Sequence, residues 1–151
     1  MRDDLVNLAI ETCTEAKIAY SKFITANDTG KTGGHQYGFH LSQSSWSLYF
    51  DSPGKKGKNK DKIVTIKWQD DFETESRFIY YGKGTRNEYR LTRFGNNFPF
   101  LQDENTGDLL ILAKIDENYC KGFILSNDDD IEDFFDAFNI SATETNAILP
   151  D

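Results

Sequence analysis

The chain has 151 residues, a length that fits one domain. Its residues are 38% hydrophobic and 28% charged, and no stretch approaches the roughly 20 apolar residues needed to span a bilayer as a helix. The start, MRDDLVNLAIE, carries aspartates where a secretory signal carries positive charge, so we expect a cytoplasmic protein. Cys13 and Cys120 are far apart and lack metal-binding spacing, which predicts buried, reduced thiols.

The formal net charge of −8 is unevenly distributed along the chain. Residues 1–30 sum to −2, residues 31–93 to +5 and residues 94–151 to −11. A basic segment within an acidic protein indicates a face that binds a polyanion. An ordinary solvated surface with an acidic tail fits the same distribution, and composition does not separate the two.

The first third of the chain combines a helical pattern with a long loop. Apolar residues at helical spacing predict an amphipathic helix over about 4–23. The following TANDTGKTGGHQYG is rich in glycine, threonine, asparagine and aspartate, which predicts a long exposed loop. Alternation at Tyr37, Phe39 and Leu41 then predicts a strand, whereas SSWSLYF fits either a strand or a short helix.

Strand patterns dominate the remainder of the chain. SPGKKGKNKDK reads as a polar, basic and mobile connection. Runs rich in β-branched and aromatic residues predict strands at 63–68, 77–82, 85–95, 109–115 and 121–126. Ile131, Phe134, Phe135 and Phe138 share one face of a predicted helix over 128–138, with Asp128 to Asp130 as its cap. Many short strands with a helix at either end predict a mainly β fold, an open barrel or a sandwich, in one domain over 1–151.

Motifs for catalysis and metal binding are weak. DTGKTGG contains Gly-Lys-Thr, but Thr25 stands where a phosphate-binding loop needs its first glycine, and Gly33 and Gly34 follow in place of a helix. His35 and His40 would point to opposite faces of a strand. The Glu-x-Lys pair of a magnesium nuclease occurs only at Glu15–Lys17, on the predicted helix. We therefore predict no catalytic and no metal-ligating residues.

The segment GKGTRNEYRLTR, residues 82–93, is the most informative. On a strand, Arg86, Glu88 and Arg90 project from one face at intervals of about 6–7 Å. Arginine can pair with guanine through two hydrogen bonds, and glutamate can accept from the cytosine amino group, so the triplet suits G·C pairs in a major groove. A surface ladder in which Glu88 pairs with both arginines is the alternative that spacing leaves open.

Two stretches resemble the N-terminal effector domain of the EcoRII restriction endonuclease family. They are TANDTGKTGGHQYGFHL, residues 25–41, and GKGTRNEYRLTRFGNNFPFLQDENTGDLLILAK, residues 82–114, and together they cover about a third of the chain. The resemblance implies a seven-stranded open pseudobarrel of the plant B-three type, which grips the major groove between two arms. It further implies a bacterial protein whose target is a CCWGG-type site in double-stranded DNA, with a fused or neighbouring nuclease domain as partner.

The resemblance also assigns roles to individual residues. It implies that Arg86 and Arg90 read guanines and that Glu88 reads a cytosine amino group. His35 belongs to the first arm, and Lys31 contacts a phosphate. The implied DNA-binding set is completed by Gln36, Tyr37, His40, Lys83, Asn87 and Tyr89.

Three positions depart from the family pattern. Gly84 stands where the family has a lysine, with Lys83 one residue earlier; Tyr89 replaces a basic residue; and His40 replaces a tyrosine. These changes remove or displace positive charge, so they leave the phosphate contacts of the second arm open.

The sequence thus predicts a sequence-specific DNA-binding module that is not itself an enzyme and needs no cofactor for binding, magnesium being required only by a separate catalytic domain. Three alternatives stay open at this point. The same fold could read a different or methylated G·C-rich site, the chain could cut DNA with magnesium, or the acidic C-terminal part could serve a protein-interaction module.

Overall fold

The computed structural model describes residues 2–29, 38–95, 98–141 and 147–148. The helices in this part of the chain are α1 (Arg2–Glu15), α2 (Ala26–Thr29) and α3 (Asp128–Phe138). The strands are β1 (Ile18–Phe23), β2 (Phe39–Leu41), β3 (Lys60–Lys67), β4 (Glu73–Tyr81), β5 (Glu88–Thr92), β6 (Leu109–Asp116), β7 (Tyr119–Leu125) and β8 (Ala147–Ile148). Short 3-10 helices lie at Gln43–Leu48, Gln69–Asp71 and Asp103–Asn105.

The strands form a single mixed sheet that is nearly closed. Their order is β2-β5-β4-β3-β7-β6-β1-β8, and each neighbouring pair is antiparallel except β3 with β7, which is parallel. The two strands at the ends of this order have three and two residues. The 3-10 helix Gln43–Leu48 contacts β1, β5 and β8, so it bridges the opening between the two ends. The seven strands β1 to β7 confirm the predicted seven-stranded open pseudobarrel, and the two-residue β8 adds a short strand at one end.

Aromatic side chains fill the interior of the barrel. Trp68 is 2% exposed, and its ring centre lies 5.0 Å from that of Phe98 and 6.1 Å from that of Phe100. A Cβ atom at Gly122 of β7 would lie 2.6 Å from the Trp68 ring, so only glycine lets the strand approach this closely. The indole Nε1 donates to Thr74 Oγ1 at 3.0 Å, which satisfies the one polar atom of the ring.

A second core lies between the outer surface of the barrel and two helices. Leu109, Ile111 and Ala113 of β6 point outward and are buried under α1 and α3, while Leu110 and Leu112 point into the barrel. Because β6 is buried on both faces, its sequence is a continuous apolar run instead of an alternating one.

The predicted helix over 4–23 is wrong in its second half. The helix ends at Glu15, and Ile18–Phe23 forms β1 between β6 and β8. Residues 19–22 are all buried because this strand is covered on both faces. Buried residues therefore occur at every position from 19 to 22, including the polar Ser21 and Lys22, and the helical spacing of the apolar residues carries no information.

The other predicted elements agree with the structure apart from their limits. The strands predicted at 63–68, 77–82, 109–115 and 121–126 are β3, β4, β6 and β7, and α3 spans the predicted 128–138. The segment SSWSLYF contains a 3-10 helix, while the strand predicted over 85–95 is confined to Glu88–Thr92. The cap of α3 is Asn127, whose side chain accepts from the amides of Asp129 and Asp130.

Both cysteines are free and buried, as predicted, and burial raises the pKa of each thiol to about 12. Within the described residues, no helix is long and apolar enough to cross a membrane.

We expect Gly122→Ala to lower the free energy of unfolding by about 1–3 kcal/mol, because the added methyl group overpacks the Trp68 ring. Chemical denaturation of the single variants Gly122→Ala and Trp68→Phe, and of the double variant, measures the coupling between the two sites. The double variant should lose less than the sum of the single losses. Additive losses would contradict direct packing of Gly122 on the indole.

Candidate nucleic-acid interface

Alternation along β5 separates a core face from an outer face. Tyr89 and Leu91 point into the barrel and are 1% and 0% exposed. Glu88, Arg90 and Thr92 consequently lie on the outer face. His40 of β2 pairs with Arg90 in the sheet register, so its side chain joins the same outer face. The described part of the predicted interface is therefore built on the outer surface of β2 and β5.

Arg86 and Glu88 form an ion pair at the outer edge of this face. Arg86 Nε donates to Glu88 Oε1 at 3.0 Å, and Nη2 donates to the same oxygen. The guanidinium lies 3.6 Å from the centre of the Tyr81 ring, in a cation–π contact. The side chains of Arg86 and Glu88 are 44% and 33% exposed, so solvent reaches both. The ladder that spacing allowed between Glu88 and its neighbours thus forms with Arg86.

Arg90 lies deeper than the sequence predicts. The residue is only 8% exposed, and its Nε and Nη2 atoms are buried without a hydrogen-bond partner among the described residues. A buried guanidinium without acceptors is costly, because it loses its hydration without compensation. The sequence predicted that the three side chains project equally from the face. In the structure, Arg86 and Glu88 are partly exposed, whereas Arg90 is buried.

His40 lies between Arg90 and Glu88. Its Nδ1 is 4.0 Å from Glu88 Oε2, and its Nε2 is buried with no partner in the described part of the chain. Burial and then the positive charge of Arg90 lower the pKa of His40, and the charges of Glu88 and Asp28 partly offset this. A neutral imidazole at neutral pH follows, which avoids a second cation next to Arg90.

A buried ion pair holds β2 in place. Lys22 Nζ donates to Asp28 Oδ2 at 2.7 Å and to the carbonyl of His40 at 2.6 Å. Asp28 Oδ1 accepts from the amide of His40 at 2.9 Å, and Oδ2 also accepts from the amide of Thr25. Burial lowers the pKa of Lys22, while the charge of Asp28 and its hydrogen bond raise it. One carboxylate thus connects β1, α2 and the backbone that carries His40.

Close backbone contact reinforces this arrangement at the start of β2. The amide of Gly38 donates to the carbonyl of Asp28 at 3.3 Å. A Cβ atom at Gly38 would lie 2.7 Å from the carbonyl oxygen of Leu91, so a side chain here would push β2 away from β5. Asp28 therefore accepts from the backbone amides of both Gly38 and His40, which fixes the start of β2 beside α2.

The remaining described residues of the second arm differ in accessibility. Lys83 is exposed in the turn before β5. Asn87 is exposed too, although its Oδ1 accepts from the Tyr80 hydroxyl at 2.6 Å and its carbonyl accepts from Gln43 at 2.9 Å. The prediction that Tyr89 contacts DNA is wrong, because its ring packs on Phe78 and Tyr80 inside the barrel.

Four predicted residues, Lys31, His35, Gln36 and Tyr37, lie outside the described residues, and their roles stay predictions. Sequence reasoning missed Lys22 and Asp28. Lys22 lies in the segment predicted as a helix, and Asp28 lies in the segment predicted as a loop. The spacing of neither residue indicates that it is buried. Asp28 in ANDTG, three residues after Thr25, carries the only local hint, since this arrangement is typical of a capped turn.

No group of three or more His, Cys, Asp or Glu side chains within the described ranges is placed to hold a metal ion.

Comparison with known proteins identifies the family. Residues 13–144 match the family described as restriction endonuclease EcoRII, N-terminal. This range includes the barrel and the second arm. The chain belongs to the EcoRII N-terminal domain family.

Two relatives place this EcoRII N-terminal domain in context. The type II restriction enzyme EcoRII of Escherichia coli is 37% identical over 120 residues, which are 74% of this chain and 30% of that enzyme. The chain thus spans about a third of the length of this relative. The crystal structure of the UbaLAI restriction endonuclease B3 domain, solved with its cognate DNA, matches with a TM-score of 0.54 and 18% identity over 98% of this chain and 99% of that one. The second match confirms the B-three fold.

We expect Asp28→Asn and Lys22→Met each to lower the free energy of unfolding by about 3–5 kcal/mol, because each leaves a buried group without its partner. The double variant should lose less than the sum of the two, since it removes both charges together. Urea denaturation of the three variants measures the difference. Losses that simply add would show that the two side chains are not coupled.

Proposed function

We propose that this domain binds double-stranded DNA sequence-specifically and acts as the non-catalytic effector domain of a type II restriction endonuclease. It reads a CCWGG-type site through two arms in the major groove. Membership of the EcoRII N-terminal family supports the effector role, and the B-three fold of a domain solved with cognate DNA supports DNA as the ligand.

The observation that carries this proposal is the outward Arg86–Glu88 pair at the tip of the second arm. Both side chains are partly exposed and are held by one another and by Tyr81. In a major groove, Arg86 has the geometry to donate to O6 and N7 of a guanine, and Glu88 can accept from the amino group of a cytosine. Binding then exchanges the hydrogen bonds of this pair for bonds to base edges, so few polar groups are left unpaired at the interface.

Arg90 contributes differently from Arg86 in this account. Its buried Nε and Nη2 lack acceptors within the described residues, and we infer that its guanidinium turns outward when DNA binds. A guanine offers the two acceptors that the described residues do not supply. The gain on binding includes relief of this desolvation cost, which makes Arg90 a second guanine-reading residue.

Other residues of the set act on the edges of the site. His40 Nδ1 lies 4.0 Å from Glu88 Oε2, so the imidazole can help to position the carboxylate. Lys83 and Asn87 lie on the exposed turn, where they can bind phosphate or sugar oxygens. Lys31 is assigned to a phosphate, and His35, Gln36 and Tyr37 to the first arm.

A selection of bound duplexes from a randomised pool tests the proposed function directly. We expect enrichment of a CCWGG-type site. Enrichment of another G·C-rich or methylated site would replace that target while retaining sequence-specific binding, and equal affinity for selected and scrambled duplexes would contradict the function itself.

Arg86→Ala should reduce discrimination between the selected and a scrambled duplex by about 1–3 kcal/mol, because one bidentate base contact is lost. Arg77→Ala is the matched control: Arg77 lies on the outer face of β4, paired with Asp61 at 2.8 Å, and its loss removes the same charge outside the arm. Titrations of both duplexes by fluorescence anisotropy measure the two affinities. Equal loss of discrimination in both variants would contradict the role of Arg86.

A further inference from the structure

A lysine-rich loop lies beside the second arm. Lys55, Lys56 and Lys58 precede Lys60, the first residue of β3, and no acidic residue occurs between residues 52 and 60. We call residues 53–60 the lysine loop. All four lysines are exposed, so this part of the chain concentrates positive charge at the surface.

Hydrogen bonds attach the lysine loop to the turn that leads into the second arm. The amide of Gly57 donates to the carbonyl of Gly82 at 2.7 Å, and the amide of Gly82 donates to Asn59 Oδ1 at 3.0 Å. Lys56 Nζ donates to the carbonyls of Gly84 and Arg86, both at 2.7 Å. The loop is thus bonded to the backbone of the arm itself.

Two glycines allow a close approach between the same segments. A Cβ atom at Gly82 would lie 2.4 Å from the carbonyl oxygen of Lys58, and one at Gly54 would lie 2.3 Å from the Tyr80 ring. The amide of Gly54 donates to the Tyr89 hydroxyl at 2.7 Å. Tyr89, at a position where a DNA-contacting side chain was expected, therefore holds the lysine loop against the arm from inside the barrel.

Two lysines of the loop keep their charge available. Lys55 and Lys58 are exposed, and neither side chain makes an ion pair or hydrogen bond to any described residue. In contrast, Lys17, Lys62 and Lys67 elsewhere on the surface lie within 4.0 Å of an acidic group. The unpaired cations are thus next to the arm that carries Arg86.

We propose that Lys55 and Lys58 bind phosphates of the DNA backbone along the edge of the groove that the second arm enters. This inference rests on the proposed function, and it assigns the arm a source of positive charge that is supplied by a neighbouring segment. Ammonium groups at the flank of an arm face the phosphates on the rim of the groove, whereas the bases lie deeper. The contribution is therefore to affinity and orientation and is independent of sequence.

The test compares the salt dependence of binding for the wild type and three double variants. The double variant Lys55→Ala/Lys58→Ala removes both proposed contacts, and Lys17→Ala/Lys67→Ala removes the same charge from ion-paired positions. Lys67 is at the far end of β3 from Lys60, roughly 23 Å away at the rise of a strand. Affinities for the selected and scrambled duplexes are measured by anisotropy over a range of salt concentrations.

Loss of two phosphate contacts should reduce the slope of log affinity against log salt by about 1.8, at about 0.9 for each contact. The double variant of the loop should show this reduction on both duplexes with the ratio of affinities unchanged, and the control should retain the slope of the wild type. Lys55→Arg/Lys58→Arg should restore the slope because the charge is kept. Melting temperatures confirm that each variant is folded.

The possible failures are distinguishable. Absence of duplex binding by the wild-type protein would overturn the proposed function and with it this inference. Binding by the wild type with an equal slope in the loop variant would overturn the inference alone. An unchanged slope with a lost affinity ratio would also overturn it, because the loop would then act on bases or on the shape of the arm.

Discussion

The interface depends on a single constraint, the alternation of β5 between the core and the outer surface. Tyr89 and Leu91 are buried in the barrel, so Glu88 and Arg90 must lie on the opposite face. A shift of one residue in the register would bury both charges and expose two large core side chains. The hydrophobic core therefore determines the direction in which the polar side chains point.

Further contacts convert this orientation into a defined surface. The Lys22–Asp28 pair holds the backbone of His40 beside β5, and Tyr89 holds Gly54 on the other side of the arm. Lys22, Asp28 and Tyr89 are buried, at 3%, 0% and 1% exposure. They act by positioning, while Arg86, Glu88 and the lysine loop present the polar atoms.

The sequence predicted the strands because their signals are local, but it left a barrel and a sandwich open, and the pseudobarrel was implied by the family resemblance. Runs of β-branched, aromatic or other apolar residues mark β3, β4, β6 and β7, and the period-two spacing of the second arm indicates a strand, although Arg86 lies in the turn before Glu88–Thr92. It failed at β1, which pairs with β6 and is buried on one face by the barrel core and on the other by the core under the helices, so alternation is lost. That pairing joins segments about 90 residues apart in the chain, as in Ile18 with Lys114, so no local pattern reports it.

The site was predictable to a lesser degree, and for a physical reason. Residue type and spacing identified Arg86, Glu88 and Arg90, but the depth of Arg90 depends on β2, which packs beside it. The resemblance to the family placed Tyr89 at the interface, whereas its ring packs on Phe78 and Tyr80 inside the barrel. The Lys22–Asp28 pair had only the local hint at Asp28, because its burial depends on the contacts of both residues with His40, and the attachment of the lysine loop arises from long-range contacts.

The central claim is that Arg86 exchanges its bond to Glu88 for a guanine in the major groove. Methylation of guanine N7 removes the acceptor that this exchange requires, so interference mapping with methylated duplex tests it at single-base resolution. The account predicts interference at guanines of the selected site with the wild-type protein, and loss of interference at one of these positions with Arg86→Ala. The same interference pattern for both proteins, or none at any guanine of the site, would contradict it.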